Sequence, residues 1–333
     1  MDLTFTDEDW NDVALLTPKS GDFAWGVDEN DFSIDVYGDA LPPIGGLLYL
    51  EGSDVGGIVR GYDSKSDMGT FSVTGDTWTG VLDRRVLKPP SGSAYRTVSG
   101  DARDCLAEIV SVLGLGKLFY VQSGKVGVTI SHTFTGSTDS TQQDAGRYMG
   151  GWAAIWQMLS ANGLSCAFAW DDSRRMVRMR VGVAATRTDD ESKNAGLASL
   201  SVSISKPVNH LICLGKGELA GRTVLDLYAD ASGAVSTTQT ITGVDEIADV
   251  YDDSGAEDTT KLEADGRKKL KELYSQSQEI TISAASGMTL ALGDIVGGTD
   301  KKSGMSATAT VTKRVLSFTS GIPSFTYTTT VRS

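Results

Sequence analysis

Histidine and cysteine, the side chains that most often carry nucleophilic or metal chemistry, are scarce in this sequence. Its 333 residues include two histidines and three cysteines. The cysteines, Cys105, Cys166 and Cys213, are far apart, odd in number and set in apolar surroundings. A secreted domain held together by disulfides would contain an even and denser set. We therefore interpret the three as small core residues of a chain that folds in a reducing cytoplasm.

Long apolar runs are missing as well, and so is an excess of positive charge. No window approaches the roughly 18 apolar residues of a membrane helix, and the acidic start MDLTFTDEDW lacks the regions of a signal peptide. The sequence therefore predicts a soluble protein with no membrane span. With 43 acidic and 30 basic side chains, the formal net charge is −13. Proteins that follow nucleic-acid phosphates need the opposite sign, so stable binding of DNA is not expected.

Proline is also rare, whereas glycine is abundant: the chain has 7 prolines and 38 glycines. Together with many serines and threonines, this composition is typical of short strands joined by glycine turns. The length exceeds what a single hydrophobic core usually supports, and 40% of the residues are apolar. We therefore expect an α+β protein that is mostly β and has more than one domain.

Changes in pattern along the chain predict three domains. Residues 1–93 contain strand-like runs between Asp, Gly, Asn and Ser clusters, which favour an antiparallel sheet that curls into a barrel. Residues 94–196 show helical spacing, first from Ala102 to Leu113, and are predicted to form a smaller α+β insert domain. Residues 197–333 return to strands and are predicted to form a second β-rich barrel with a surface helix at 259–275.

The stretch from Pro207 to Asp230 contains the strand around which we expect the last domain to be organised. Two β-rich runs, Asn209–Leu214 and Arg222–Tyr228, flank a glycine-containing turn, which predicts a hairpin. A strand with one wet face would alternate, so we predict that the first run is covered on both faces, the outer one by another domain or subunit. The acidic stretch Val244–Asp258 is predicted to be a connection. The candidate assembly strand consists of four consecutive apolar residues, Leu211, Ile212, Cys213 and Leu214.

No pattern in the sequence indicates a catalytic centre, a metal site or a cofactor site. His132 and His210 each lie in an apparent strand, without metal-ligating residues at a suitable spacing. Paired acids could serve a glycosidase, but adjacent acids in a strand point to opposite faces, and every pair falls in a predicted turn. We expect Trp152 and Trp156 to be core residues rather than a stacking platform. The acidic sets are Asp171-Asp172, Asp189-Asp190-Glu191 and Asp252-Asp253.

Four segments carry a resemblance to a known family. They read GDTWTGVLDRRVLKPPSG at 75–92, PVNHLICLGKGELAGRTVLDLYAD at 207–230, LEADGRKKLKEL at 262–273 and LGDIVGGTDKKSGMSATATVTKRVLSFTSG at 292–321. In this order they resemble the baseplate hub, or minor tail, proteins of long-tailed phages, of the ReqiPepy type. The similarity runs from about residue 70 to the end of the sequence and is weak at its start.

The resemblance implies a homotrimeric ring built from two tail-tube-like antiparallel β-barrel domains with a smaller α/β insert. Such a hub closes the tail tube, joins the distal tail protein to the tip and opens for DNA ejection. The implied partners are its own copies, the distal tail protein, the tape-measure protein and receptor-binding proteins of the tip, with phage DNA only in transit. The implied location is the distal tail tip of the virion, with no cofactor and no enzymatic activity. Because the sequence stops just after its last predicted strand, we expect no C-terminal hydrolase or receptor-binding module.

Two other functions stay open from the residues alone. Exposed Trp and Tyr side chains around Thr135–Gly151 could bind a receptor or a saccharide. An unrecognised acid pair could make the chain a tail-associated cell-wall hydrolase. A glycan-binding assay would reveal the first function, and cell-wall lysis that is lost on substitution of an acid would establish the second.

Overall fold

Strands make up most of the regular structure in the computed structural model, which describes residues 1–37, 40–64, 70–135, 147–187, 199–256, 258–275, 277–283, 290–299 and 306–331. The mostly β class predicted from the composition is confirmed. The chain divides into two compact units. Unit 1 comprises Met1–Leu200 and Ile282–Ser333, and unit 2 comprises Ser201–Thr281.

The helices and strands follow one another along the chain with short connections. The first part contains β1 (Leu3–Thr6), β2 (Asp12–Leu16), β3 (Pro18–Gly26), β4 (Asp31–Tyr37), β5 (Leu47–Tyr49), β6 (Gly56–Ser64), β7 (Thr70–Thr77), α1 (Trp78–Asp83) and β8 (Val86–Leu87). The middle contains β9 (Thr97–Asp101), α2 (Ala102–Val112), β10 (Phe119–Val121), β11 (Thr129–Thr133), β12 (Met149–Gly150), α3 (Gly151–Ser160), β13 (Leu164–Asp171), β14 (Met176–Val183) and β15 (Thr186–Arg187). The last part contains β16 (Ser199–Ile204), β17 (His210–Leu214), β18 (Val224–Ala229), β19 (Val235–Ser236), β20 (Ala248–Asp252), α4 (Thr259–Ser275), β21 (Gln278–Ser283), β22 (Ile295–Thr299), β23 (Ser306–Thr319) and β24 (Ile322–Val331).

The largest sheet of unit 1 joins strands from the two ends of the chain. Its order is β15-β22-β23-β3-β4-β7-β6-β5-β1-β2, and β24 pairs with β23. β23 lies antiparallel to β3, in a register that runs from Lys313 opposite Gly26 to Phe318 opposite Gly21. Residues 1–93 and 197–333 therefore do not form two separate barrels, because their strands share this sheet. Across the described residues, the strand order ends at β15 and β2 and does not close.

Alternating side chains explain why individual strands of this sheet form where they do. In β4, Phe32, Ile34 and Val36 are buried, and the residues between them face away from the core. Since successive side chains of a strand point to opposite faces, this period of two places one apolar face against the core. The ring of Phe23 on β3 stacks on Phe32, with 4.8 Å between the ring centroids, so that the pairing of β3 with β4 is also a packing contact.

The helical middle of the chain is part of unit 1 and not a separate domain. The buried Trp152 of α3 donates its indole N–H to the carbonyl oxygen of Gly26 on β3, at 2.7 Å. The Trp170 ring of β13 stacks on Tyr49 of β5, with 4.3 Å between the centroids. Contacts of this kind bury large aromatic surfaces and so tie the elements together. The boundaries expected at residues 93/94 and 196/197 thus differ from the observed division into two units.

Unit 2 is a four-stranded sheet with one helix across one face. The sheet order is β19-β18-β17-β20, in which β20 lies parallel to β17 and the other pairs are antiparallel. Helix α4 begins where the side chain of Asp258 accepts a hydrogen bond from the backbone N–H of Lys261, at 2.8 Å, which is an N-terminal cap. The core residues of the unit are Leu211, Cys213, Leu227, Ala229, Ala256, Leu262 and Leu270.

Candidate assembly surface

The two faces of β17 differ in how far the monomer covers them. Leu211 is 1% exposed and Cys213 is 0% exposed, and both belong to the core that α4 closes. His210, Ile212 and Leu214 point to the other face and are only partly buried. The run of apolar residues therefore has one face that is covered within the chain and one that is partly open. That something else covers this second face in an assembly stays a prediction.

A glycine allows the helix to approach the core face closely. A Cβ atom at Gly266 of α4 would lie 2.5 Å from the Cys213 sulfur and 2.8 Å from a Leu227 methyl carbon. Only a residue without a side chain fits there. Burial raises the pKa of the Cys213 thiol to about 11, and the nearby Asp226 carboxylate adds to this. Cys213 is therefore a protonated, unreactive core residue, as its apolar sequence surroundings predict.

Four apolar side chains form the centre of the outer face of the unit 2 sheet. In the strand register, Ile212 lies opposite Asp226 of β18 and Val250 of β20. Leu214 lies between Val224 and Asp252 in the same way. Val224 is 54% exposed and Val250 is 56% exposed. We call this surface the outer patch, and it consists of Ile212, Leu214, Val224 and Val250.

One end of the outer patch is fixed by a histidine held between two carboxylates. His210 has its Nδ1 atom 2.6 Å from a Glu246 carboxylate oxygen and its Nε2 atom 2.8 Å from an Asp226 carboxylate oxygen. Its ring stacks on Tyr228, with 4.4 Å between the centroids. Both short contacts are hydrogen bonds only when both ring nitrogens carry hydrogen. His210 is thus a structural residue of this surface, as predicted for a histidine without metal-ligating neighbours.

The other end of the outer patch is closed by an arginine. Arg222 donates from Nε to the carbonyl oxygen of Gly215 at 3.0 Å and from Nη2 to the carboxylate of Asp252. The first bond closes the loop between β17 and β18, and the second links that loop to β20. The outer patch therefore has an apolar centre and charged ends, an arrangement typical of protein interfaces with a polar rim.

The remaining sequence candidates have structural contacts. His132 lies 3.3 Å from the side chain of Gln157. Asp171 accepts hydrogen bonds from the hydroxyls of Tyr120 and Ser173, and Asp172 pairs with Arg175 at 3.0 Å. Asp171 and Asp252 end β13 and β20, so these pairs are not free turns as predicted. Asp189, Asp190 and Glu191 lie outside the described residues.

Within the part of the chain that the structure describes, no cluster of three or more His, Cys, Asp or Glu residues is arranged to hold a metal ion. The three cysteines are free and buried. Among the described helices, none is long and apolar enough to cross a membrane. Trp152 is buried and Trp156 is half-buried, which agrees with the prediction that both are core residues rather than a platform.

An arginine network in unit 1 was not predicted from the sequence. Arg175 donates to both carboxylate oxygens of Asp12 at 2.8 and 2.7 Å, to the Tyr49 hydroxyl at 2.9 Å and to the carbonyl oxygen of Trp10 at 2.5 Å. Its guanidinium also lies over the ring of Trp170, 5.4 Å from the centroid. The network ties the hairpin of β13 and β14 to β2 and β5. Partners so far apart in sequence leave no local signal.

This network changes the ionisation of its members. The hydrogen bonds from Arg175 hold the pKa of Asp12 below its usual value. Burial, followed by the hydrogen bond to Asp12, raises the pKa of Tyr49 to about 12. The hydrogen bonds to Asp12 in turn raise the pKa of Arg175. Each shift favours the charge state in which the pairing persists.

Comparison with known proteins gives structural similarity only. No protein-family model and no curated protein sequence matches the chain. A tail protein from Neisseria meningitidis is 13% identical, with a TM-score of 0.46, over 100% of this chain and 96% of its own. The 43 kDa tail protein of prophage MuSo2 from Shewanella oneidensis is 13% identical, with a TM-score of 0.47, over 100% and 98%. The prophage tail protein gp18 from Listeria monocytogenes is 11% identical, with a TM-score of 0.49, over 100% and 95%. These structural neighbours are phage tail proteins.

Proposed function

We propose that this chain is a structural, non-enzymatic protein of a phage tail tip or of a tail-derived particle, where it forms a ring of identical copies. The resemblance of four sequence segments to baseplate hub proteins suggests the class. The outer patch of unit 2 carries the proposal, because it exposes apolar side chains on a sheet face that a neighbouring copy could cover. A closed ring repeats one heterologous contact, so that a single patch and its complement are sufficient.

In this proposal the ring closes the tail tube, connects the distal tail protein to the tip and opens when DNA is ejected. The tape-measure protein and receptor-binding proteins of the tip are its other neighbours. The net charge of −13 fits a protein that DNA passes without binding, since like charge repels the phosphate backbone. The protein would reside at the distal end of the virion tail after folding in the host cytoplasm.

The decisive experiment compares two valine-to-aspartate variants of the full-length chain. Val250→Asp places a charge in the outer patch, and Val183→Asp places one on an exposed strand residue of unit 1. Their exposed fractions are 56% and 70%, so neither substitution buries a charge within the monomer. In the ring, Val250→Asp would desolvate an unpaired carboxylate, which opposes association.

Solution mass is measured by light scattering over a dilution series. We expect the wild type and Val183→Asp to reach a mass near three times 35.2 kDa at high concentration. Val250→Asp should stay monomeric at about tenfold higher concentration, which corresponds to about 1.4 kcal/mol. A wild type that is monomeric at every concentration, or equal loss of mass in both variants, would contradict the outer patch as a ring contact.

A further inference from the structure

Unit 1 contains a cleft that the ring does not require. Its volume is about 680 Å³, within the range of sites that take a small ligand. The cleft lies between the loop that follows β8 and the residues that precede β12. The side chains that give it its character are Lys88, Pro89, Pro90, Tyr95, Arg147 and Tyr148.

A short strand pair brings the two walls of the cleft together. In the antiparallel ladder of β8 and β12, Leu87 lies opposite Met149. One residue beyond the ladder, the chain continues into Lys88 on one side and Tyr148 on the other. The antiparallel register thus places a cation and an aromatic ring at the mouth of the same cleft.

The loop that forms the first wall is held by two backbone contacts. The N–H of Ser93 donates to the carbonyl oxygen of Pro90 at 3.0 Å, and Gly92 between them has φ +80°, as a type II turn requires. Arg96 donates from Nε to the carbonyl oxygen of Lys88 at 2.9 Å and so joins the two ends of the loop. A wall that is fixed before a ligand arrives loses little conformational entropy on binding.

The charge of the cleft is opposite to that of the chain. Lys88 and Arg147 line it, and none of its described lining residues carries a carboxylate. The chain as a whole has a formal net charge of −13. A ligand with a negative group would therefore meet positive charge here and repulsion over much of the remaining surface.

The aromatic rings add a second requirement. Tyr148 is 54% exposed, and the guanidinium carbon of Arg147 lies 5.5 Å from the centre of its ring. Tyr95 and the two prolines present further flat, apolar surface to the same space. Amphipathic rings of this kind pack against the C–H faces of a ligand while their hydroxyl groups form hydrogen bonds. Flat apolar surface, hydroxyl groups and cations together match a ring-shaped ligand that bears hydroxyls and an anionic group.

We propose that this cleft binds an acidic sugar, with the pyranose ring against Tyr148 and its carboxylate or phosphate near Lys88 and Arg147. Single-stranded nucleic acid also combines rings with negative charge. A groove that follows its backbone needs cations along several nucleotides, whereas this cleft has two. The site goes beyond the proposed ring, because its residues lie in unit 1 and the outer patch lies in unit 2.

The test is isothermal titration calorimetry of the full-length protein with four probes. These are an oligogalacturonate, a neutral maltohexaose of equal length, inorganic phosphate and a single-stranded oligothymidylate. We expect the oligogalacturonate to bind and the other three to bind at least about tenfold more weakly, a difference of about 1.4 kcal/mol. Equal binding of the neutral sugar or of phosphate alone, tighter binding of the oligonucleotide, or no binding of the acidic sugar would overturn the proposal.

Variants locate the site. Tyr148→Ala and Lys88→Gln should each weaken oligogalacturonate binding about tenfold, whereas Tyr148→Phe should retain it because the ring remains. Tyr37→Ala is the matched control, since Tyr37 is 58% exposed and has its own cation, Lys19, 4.9 Å from the ring centre, but lies outside the cleft. Loss of binding in Tyr37→Ala, or full binding in both Tyr148→Ala and Lys88→Gln, would overturn the assignment. Light scattering of these variants shows whether the proposed ring is affected separately.

Discussion

At Leu211 and Ile212, one step along β17 changes the expected effect of a substitution. Leu211→Asp buries a carboxylate against α4 without a partner, which costs about 3 kcal/mol or more in the free energy of unfolding. Ile212→Asp places the charge on the partly open outer face of the sheet, so the monomer should fold and only association should suffer. Unfolding in urea, followed by circular dichroism, measures the first effect, and light scattering measures the second. Equal loss of stability in the two variants would contradict the assignment of the two faces.

The residues of the outer patch show what the sequence could and could not reveal. Ile212 and Leu214 were recognisable, since four consecutive apolar residues in a strand indicate that the second face is apolar as well. Val224 and Val250 were not, because strand register is set by distant pairing and is not readable from either strand alone. Arg175 escaped for the same reason, as its main partners are near the start of the chain.

At the scale of single elements, the hairpin of β13 and β14 depends on Arg175 for its attachment to the first strands. Arg175→Ala should lower the free energy of unfolding of unit 1 by about 1–2 kcal/mol, a value reduced for the partial exposure of Asp12. Tryptophan fluorescence during urea unfolding measures this, because Trp170 lies under the guanidinium. Arg180→Ala, on the exposed side of β14, is the control and should leave the midpoint unchanged.

The pH dependence of this variant follows from the lowered pKa of Asp12. The ion pair stabilises the folded state above the ordinary Asp pKa of 3.8 and loses that effect as the pH falls through the lowered value. The difference between wild type and Arg175→Ala should therefore shrink in acid. A difference that stays constant at low pH would contradict the role of the ion pair.

Elements with a local signal were predictable, and those that depend on distant pairing were not. The helix expected over Ala102–Leu113 occurs at Ala102–Val112, because amphipathic spacing is contained within the helix itself. β20 was predicted to be part of an acidic connection, since Asp249 and Asp252 interrupt its apolar residues. It forms a strand because β17 offers a free edge beside it. The sharing of one sheet by β3 and β23 had no signal in either strand.

At the scale of the whole molecule, the two units offer separate probes of unfolding. All six tryptophans lie in unit 1, whereas Cys213 is buried in the core of unit 2. We expect Cys213 to become reactive towards an alkylating reagent at lower urea concentration than the tryptophan emission changes, because the smaller unit buries less surface. Mass spectrometry of peptides distinguishes Cys213 from Cys105 and Cys166. A single midpoint for both probes would show that the units unfold together.

The pairing of β3 with β23 also has a consequence for the order of events at the ribosome. Unit 2 is continuous in the sequence and has its complete core as soon as α4 has been synthesised. Unit 1 has to wait for β23, with its first strands already outside the ribosome and one edge of β3 unpaired. Exposed strand edges invite pairing with other chains. Nascent chains of this protein are therefore most prone to aggregate during synthesis of the long middle stretch, and a chaperone that shields β3 would act in that interval.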